Sequence, residues 1–159
     1  MNLRRYLPFV ALALIAIAAD QALKLWTEAN LPWQEPVELI PFFALFRTYN
    51  TGIAFSMLSW AGANGLLLVQ GAVVLFVLYL AWRTTSRLAL TGIALIIGGA
   101  FGNIIDRFAY GHVVDMFLFH TPVWSFAVFN LADAFITVGA MLVLAHELFG
   151  AKDEPSKTD

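Results

Sequence analysis

The stretch that decides the fold is GGAFGNIIDRFAYGHVVDMFLFHTPVWSFAVFNLAD, residues Gly98 to Asp133. It begins inside one long apolar run, ends inside the next, and carries Asn, Asp and Arg side chains in between. An apolar run of about 20 residues is long enough to cross the hydrocarbon core of a bilayer. A charged side chain in such a run costs about 2.5–3.5 kcal/mol on insertion scales. The stretch therefore predicts two membrane spans with a polar site between them.

Outward from this stretch, the chain contains four apolar runs. They lie at about residues 7–26, 66–82, 88–105 and 128–148. Apolar residues make up 60% of the chain and charged residues 13%, about half the charged fraction of a soluble domain. Since backbone polar groups in lipid must be bonded within their own segment, the runs should be helices. We predict an all-α membrane protein, a four-transmembrane-helix bundle formed by residues 1–150, followed by a disordered cytoplasmic tail, residues 151–159.

Basic residues indicate how the bundle is oriented. They cluster before the first run, between the second and third, and after the fourth, at Arg4, Arg5, Arg83, Arg87, Lys152 and Lys157. The positive-inside rule places these regions, and both termini, in the cytoplasm. Arg4 and Arg5 before an apolar run also resemble a cleavable secretory signal, but three further spans favour a retained first helix.

The two longer connecting segments then lie outside the cytoplasm. Pro32, Pro36 and Pro41 interrupt the first segment, and the aromatic and β-prone residues from Phe42 to Phe55 indicate short strands. The second segment contains the apolar run Val113 to Phe119, which could form a short surface helix or a strand. We therefore expect a small extracytoplasmic β or loop element and a short surface segment beside the bundle.

Polar residues of three runs should reach one depth. At about 1.5 Å per residue from the cytoplasmic end, Asp20 lies roughly 21 Å up its helix, Asn103 roughly 24 Å and Asp133 roughly 20 Å. Each run carries a second polar residue three or four positions away, which shares its helix face. The resulting pairs are Asp20 with Lys24, Asn103 with Arg107, and Asn130 with Asp133. Each pair alone could be structural, but three at one depth predict a shared cavity that opens outward.

The residue types limit the chemistry of this cavity. The chain has no cysteine, and its histidines, His112, His120 and His146, are too scattered for a metal site. No serine has a base at a suitable spacing, so the reactive candidates are the carboxylates Asp115 and Asp133. Two aspartates held close together share one proton, and such a pair can hydrolyse a peptide without a metal. Proton-coupled transporters also use aspartates near spans, so the residue pair alone leaves both possibilities open.

Five sequence blocks favour the peptidase over the transporter. In chain order they are Asp20-Gln21-x-x-Lys24, Asn50-x-Gly52-x-Ala54-Phe55, Gly98 to Arg107, Val113-Val114-Asp115 and Phe129-Asn130-Leu131-Ala132-Asp133. These blocks, on a frame of four spans, closely resemble the lipoprotein signal peptidases (signal peptidase II), an aspartyl peptidase family. The resemblance extends from the first span through the fourth and is poorest from His120 to Phe126.

The resemblance implies an intramembrane aspartyl endopeptidase in a bacterial inner membrane, with its active site on the periplasmic side. Asp115 and Asp133 would be the catalytic residues. The substrate-binding positions would be Asn50, Gly52, Asn103, Arg107 and Asn130, with structural support from Asp20, Lys24 and Asp106. The substrate would be a diacylglyceryl-modified prolipoprotein, cut just before the lipidated Cys. We expect a monomer in contact with membrane lipids, with no cofactor, no metal and no nucleic acid.

Two other functions remain open from the sequence. A small proton-coupled transporter would use Asp20, Asp133 and Arg107 as a relay, although the cytoplasmic halves of the runs carry few ionisable groups. A non-catalytic assembly factor would bind lipid or partner helices through the glycines of the third run, and it would tolerate Asp115→Asn and Asp133→Asn.

Overall fold

The computed structural model describes residues 3–52 and 62–149. In this part of the chain, a 3-10 turn at Leu3–Tyr6 leads into the first of four long helices. The helices are α1 (Leu7–Asn30), α2 (Gly62–Arg83), α3 (Arg87–Tyr110) and α4 (Leu131–Phe149). By length and composition, all four are able to cross a membrane. The predicted number of spans is therefore confirmed for the described residues.

α3 extends further than the sequence suggested. Ser86 begins it, because the Ser86 hydroxyl accepts a hydrogen bond from the Ala89 backbone N–H at 3.3 Å. Gly111 ends it in a left-handed conformation, with φ at 76° and its N–H bonded to the Arg107 carbonyl. The expected end at residue 105 is thus wrong by about one turn. As a result, Asp106 and Arg107 lie inside the helix and not after it.

α4 begins later than expected, at Leu131 instead of residue 128. The cause is a strand contact just before it, where Phe129 exchanges backbone hydrogen bonds with Phe117. These bonds hold the chain extended up to Asn130, so the helix cannot start earlier. α1 is longer than expected and runs to Asn30, with Pro32 following its end.

α3 is the central helix and packs against α1, α2 and α4. Its contact with α4 is backbone to backbone, because a Cβ atom on Gly92 would lie 2.5 Å from the Gly139 carbonyl oxygen. Close approach through small residues is a common way for helices to pack in lipid. This packing closes the half of the α3–α4 interface that lies away from Asp133, which disfavours a polar transport path along that interface.

A four-stranded antiparallel sheet lies at the end of the bundle where α3 ends and α4 begins. Its strands are β1 (Pro36–Ile40), β2 (Phe43–Asn50), β3 (Val113–Thr121) and β4 (Trp124–Ser125), in that spatial order. The expected β element is confirmed, and Val113 to Phe119 proves to be a strand. In the register of β2 and β3, Thr48 faces Asp115. Ile53 to Phe55, at the end of the expected strand region, and the tail from residue 151 lie outside the described residues.

Candidate active site

A cavity of about 710 Å³ lies between α2 and α4, beneath β3 and the segment before α4. Five of the ten residues singled out from the sequence line it: Asn50, Asn103, Arg107, Asp115 and Asp133. The rest of the wall is mainly apolar and includes Phe119, Phe129, Ile136 and Val138. A concave, mostly apolar site with a few convergent polar groups is the usual form of a ligand-binding site.

Asp115 and Asp133, which we call the aspartate pair, are joined through Asn130. Asp115 lies on β3, and Asp133 lies in the first turn of α4. The Asn130 side chain donates from Nδ2 to Asp115 Oδ1 at 2.6 Å. Its Oδ1 accepts from the Asp133 backbone N–H at 2.9 Å. One fully buried asparagine therefore fixes both carboxylate-bearing segments relative to each other.

Local helix chemistry explains the position of Asp133. Asn130 immediately precedes α4 and caps its third residue, Asp133, while the Asp133 carboxylate reaches back toward the Asn130 N–H at 3.4 Å. This reciprocal arrangement satisfies backbone donors at a helix start. A negative side chain in the first turn also interacts favourably with the helix dipole. Asn130 therefore caps α4 through its Oδ1, and its Nδ2 remains available for Asp115.

Two further asparagines hold the carboxylates. Asn103 donates from Nδ2 to Asp133 Oδ1 at 2.8 Å. Asn50 donates from Nδ2 to Asp115 Oδ2 at 3.0 Å, and its Oδ1 accepts from the Gly52 backbone N–H at 2.9 Å. Each aspartate is therefore held by neutral amide donors, with no cationic partner in direct contact among the described residues.

The electrostatics of Asp115 follow from this setting. Burial raises the pKa of its carboxyl to about 7, and the nearby negative charge of Asp133 acts in the same direction. The hydrogen bonds from Asn50 and Asn130 act in the opposite direction because they stabilise the ionised form. Near neutral pH this carboxyl can therefore either hold or release a proton, as an acid–base group must.

Arg107 contributes both a tether and free donors. Its Nη2 donates to the Gly52 carbonyl oxygen at 2.5 Å, which holds the turn after β2 against the bundle. Its Nε and Nη1 atoms are buried and have no hydrogen-bond partner among the described residues. Since the guanidinium group borders the cavity, these donors are available to a bound molecule.

Beneath the cavity lies a second group, Asp20, Lys24 and Asp106, which we call the ion cluster. Lys24 Nζ lies 2.8 Å from a carboxylate oxygen of each aspartate, and it donates to Asn103 Oδ1 at 3.0 Å. Asp20 also accepts from the Ala132 backbone N–H, and Asp106 from the Val114 N–H. The cluster thus joins α1, α3, β3 and α4 directly behind the aspartate pair.

Two glutamines were given no role from the sequence, although Gln21 stands in the first sequence block. Gln21 donates to Asp106 Oδ1 at 2.8 Å and to the Gly102 carbonyl at 3.2 Å, so it completes the ion cluster. Gln70 lines the cavity from α2. Counting helix depth would have found Gln70, because it lies roughly 20 Å along the helix axis from Arg83, the depth reached by Asp133 in α4.

Fold and site together define a multi-pass membrane protein with a carboxylate-bearing cavity between its helices. A solved bacterial membrane enzyme has the same fold, with a TM-score of 0.84 at 24% identity over 96% of this chain and 94% of that one. A second solved bacterial membrane enzyme aligns with a TM-score of 0.79 at 25% identity, over 92% and 94% of the two chains.

The sequence comparisons are more specific. The profile of the family Signal peptidase (SPase) II matches residues 12–149. The lipoprotein signal peptidase of Mesorhizobium japonicum is 61% identical over 156 residues, which cover 97% of this chain and 93% of that protein. The lipoprotein signal peptidase of Brucella ovis is 51% identical over 143 residues, 89% of each chain. This chain belongs to the signal peptidase II family, a family of membrane proteases, and the resemblance found in the sequence is confirmed.

Proposed function

We propose that this chain is an intramembrane aspartyl endopeptidase that removes the signal peptide from diacylglyceryl-modified prolipoproteins, cutting just before the lipidated Cys. The observation that carries the proposal is that Asp115 and Asp133 line one cavity and contact the same side chain, Asn130. The family relationship supports the substrate, and the geometry supports the catalytic residues.

The chemistry needs one shared proton. The ionised carboxylate takes a proton from a water molecule, whose oxygen attacks the scissile carbonyl carbon, while the protonated carboxyl donates to the carbonyl oxygen. When the tetrahedral intermediate collapses, the C–N bond breaks and the leaving amine takes a proton from the pair. The pKa of Asp115, about 7, suits a group that must alternate between the two states.

The cavity also suits the form of the substrate. A signal peptide is a short apolar helix already in the bilayer, and the cavity lies between α2 and α4 with apolar walls. The peptide can therefore enter sideways from the lipid, with its acyl chains still in the membrane. The free Arg107 donors would then bind backbone carbonyls and keep the peptide extended. The turn at Asn50–Gly52, held by Arg107, would form one edge of the substrate site.

We place the protein in the bacterial inner membrane as a monomer, with both termini in the cytoplasm and the cavity toward the periplasm. Arg5 donates to the Thr84 carbonyl at 2.8 Å, so the basic N-terminal segment and the α2–α3 connection share one end of the bundle. The sheet and the aspartate pair lie toward the other end. This arrangement supports the orientation given by the positive-inside rule.

Carboxylate-to-amide variants test the proposal. Purified Asp115→Asn and Asp133→Asn should each lose cleavage of a lipidated prolipoprotein by about 10²–10⁴-fold or more, because acid–base catalysis by the pair is removed. Membrane insertion should be unchanged. Glu38→Gln, on the exposed strand β1, is the matched control and should cleave normally. Normal cleavage by either aspartate variant would exclude the aspartyl mechanism, and equal cleavage of an unlipidated precursor would exclude the substrate.

A further inference from the structure

Gln70 is a primary amide on an otherwise apolar part of α2, and it borders the cavity that holds the aspartate pair. Its Oε1 atom is buried and has no hydrogen-bond partner among the described residues. A buried acceptor without a hydrogen-bond partner destabilises the folded chain unless a ligand supplies the missing donor. In a membrane span, a polar side chain is a functional candidate by default.

The residue after Gln70, Gly71, faces open space. A Cβ atom added at Gly71 would meet no heavy atom within 4 Å. Across the cavity lie Ile136, Thr137 and Val138 of α4. The Thr137 hydroxyl already donates to the Asp133 carbonyl at 2.8 Å, so the α4 wall offers no free donor at this position. An extended peptide in the cavity would therefore run between an apolar wall and the Gln70 amide.

Hydrogen-bond acceptors are scarce in the cavity. Asn50 Oδ1 already accepts from Gly52, and Asn103 Oδ1 already accepts from two donors. Arg107 has free donors but no acceptor at all. Among the described lining residues, Gln70 Oε1 is a buried neutral side-chain acceptor with no partner at all, so it can accept from a peptide N–H. A peptide bond presents both an N–H and a carbonyl, and a primary amide can bond to both.

We propose that Gln70 is a substrate-positioning residue, which binds the backbone of the signal peptide on the N-terminal side of the scissile bond. Its Oε1 accepts from a backbone N–H, and its Nε2 donates to a backbone carbonyl. The N-terminal side is chosen because Gln70 lies within a span, whereas the chain after the lipidated Cys leaves toward water. This inference rests on the proposed function and deepens it.

Two substitutions of Gln70 separate hydrogen bonding from bulk. Gln70→Met keeps the length and removes the amide, and Gln70→Asn keeps the amide on a shorter side chain. With lipidated prolipoprotein, Gln70→Met should raise KM about 5- to 30-fold, the value of two ordinary hydrogen bonds, with kcat within about 2-fold. Gln70→Asn should raise KM less. If bulk alone mattered, the order would be reversed, and that result would overturn the proposal.

The matched control is Leu68→Met, on an exposed, lipid-facing position of α2. It should leave both KM and kcat unchanged. Because Gln70→Met makes the span more apolar, it should insert at least as well as the parent chain. An unchanged KM in Gln70→Met would overturn the inference while leaving the proposed function intact. Failure of the parent chain to cleave any lipidated substrate would overturn the proposed function itself.

A substrate scan identifies the bonded atom. Synthetic lipidated peptides, each N-methylated at one position before the scissile bond, remove one N–H at a time. For the parent enzyme, one position should raise KM about 2- to 10-fold, as expected for one hydrogen bond. For Gln70→Met, N-methylation at that same position should raise KM no further. An equal penalty in both enzymes would show that the N–H binds elsewhere and would overturn the assignment.

Discussion

The bundle contains two pairs of aspartates, a short distance apart, and a different side chain bridges each pair. Asp20 and Asp106 are bridged by Lys24, whose ammonium contacts both carboxylates at 2.8 Å. Asp115 and Asp133 are bridged by Asn130, a neutral amide. An ammonium supplies a counter-charge, whereas an amide supplies only hydrogen bonds. The first pair therefore has a counter-charge within 2.8 Å, whereas the second is held only by hydrogen bonds from neutral amides.

One side chain, Asn103, connects the two pairs. Lys24 has donors and no acceptor, so the Asn103 oxygen must face Lys24 and its NH₂ group must face Asp133. The ion cluster thereby fixes the direction of the amide that holds the Asp133 carboxylate. Such support behind the reacting groups keeps an active site in a productive geometry.

The largest effect should come from removing the counter-charge of the ion cluster. Lys24→Met leaves Asp20 and Asp106 buried without their cation. We expect a loss of about 3–5 kcal/mol in the free energy of unfolding, the usual result when one partner of a buried ion pair is removed. Denaturant unfolding of the purified protein in detergent micelles measures this loss.

A second substitution sharpens this prediction. Lys24→Met combined with Asp106→Asn should recover part of the lost stability, because one uncompensated charge is removed as well. Arg83→Met, at the end of α2, is the control for loss of a cation and should change stability little. If the free energy of unfolding of Lys24→Met were within about 1 kcal/mol of the parent value, the two aspartate pairs would not differ in the way described.

Much of the ion cluster and the aspartate pair could be predicted from the sequence, for a physical reason. Counting the helix rise placed Asp20, Asn103 and Asp133 at one depth, and the structure joins all three through short hydrogen bonds or ion pairs. The rise per residue is nearly constant, so depth in a span can be read from residue number alone. The membrane supplies the common reference level.

Helix ends and side-chain partners were harder to predict from the sequence. The end of α3 depends on the left-handed Gly111, and the start of α4 depends on the backbone pairing of Phe129 with Phe117. Gly111 is a local signal for the end of α3, but counting apolar residues ignores it. The start of α4 depends on pairing with β3, which the apolar pattern of the helix does not show. Gln70 was missed because a single glutamine does not interrupt an apolar run, although its depth matches that of Asp133.

An effect of intermediate size is expected at Arg107, because it is a cation that borders the cavity without bridging either aspartate pair. Arg107→Lys should lower kcat/KM about 10- to 100-fold, since a point charge cannot hold the Gly52 carbonyl and present further donors at once. Arg83→Lys is the control and should have no effect. A change below about 2-fold would show that the planar guanidinium group is not used.

The smallest effect, and the most specific one, concerns the pH profile. The proposed mechanism needs one proton on the aspartate pair, and a pKa of about 7 for Asp115 means that this proton is lost as the pH rises through that value. The kcat/KM of the parent enzyme should therefore fall about tenfold per pH unit on the alkaline side, because this quantity reports ionisations of the free enzyme.

Asn50 sets the position of that alkaline limb. Its Nδ2 donates to Asp115 Oδ2 at 3.0 Å and so stabilises the ionised form. Asn50→Ala removes this bond, so the pKa of Asp115 rises and the limb should move about one unit to higher pH, the equivalent of one hydrogen bond to a charged group. Tyr49→Phe, the neighbouring control, removes a hydrogen bond to Glu28 and should leave the limb in place. A limb that moves to lower pH in Asn50→Ala would mean that Asn50 stabilises the protonated pair, the reverse of the geometry described.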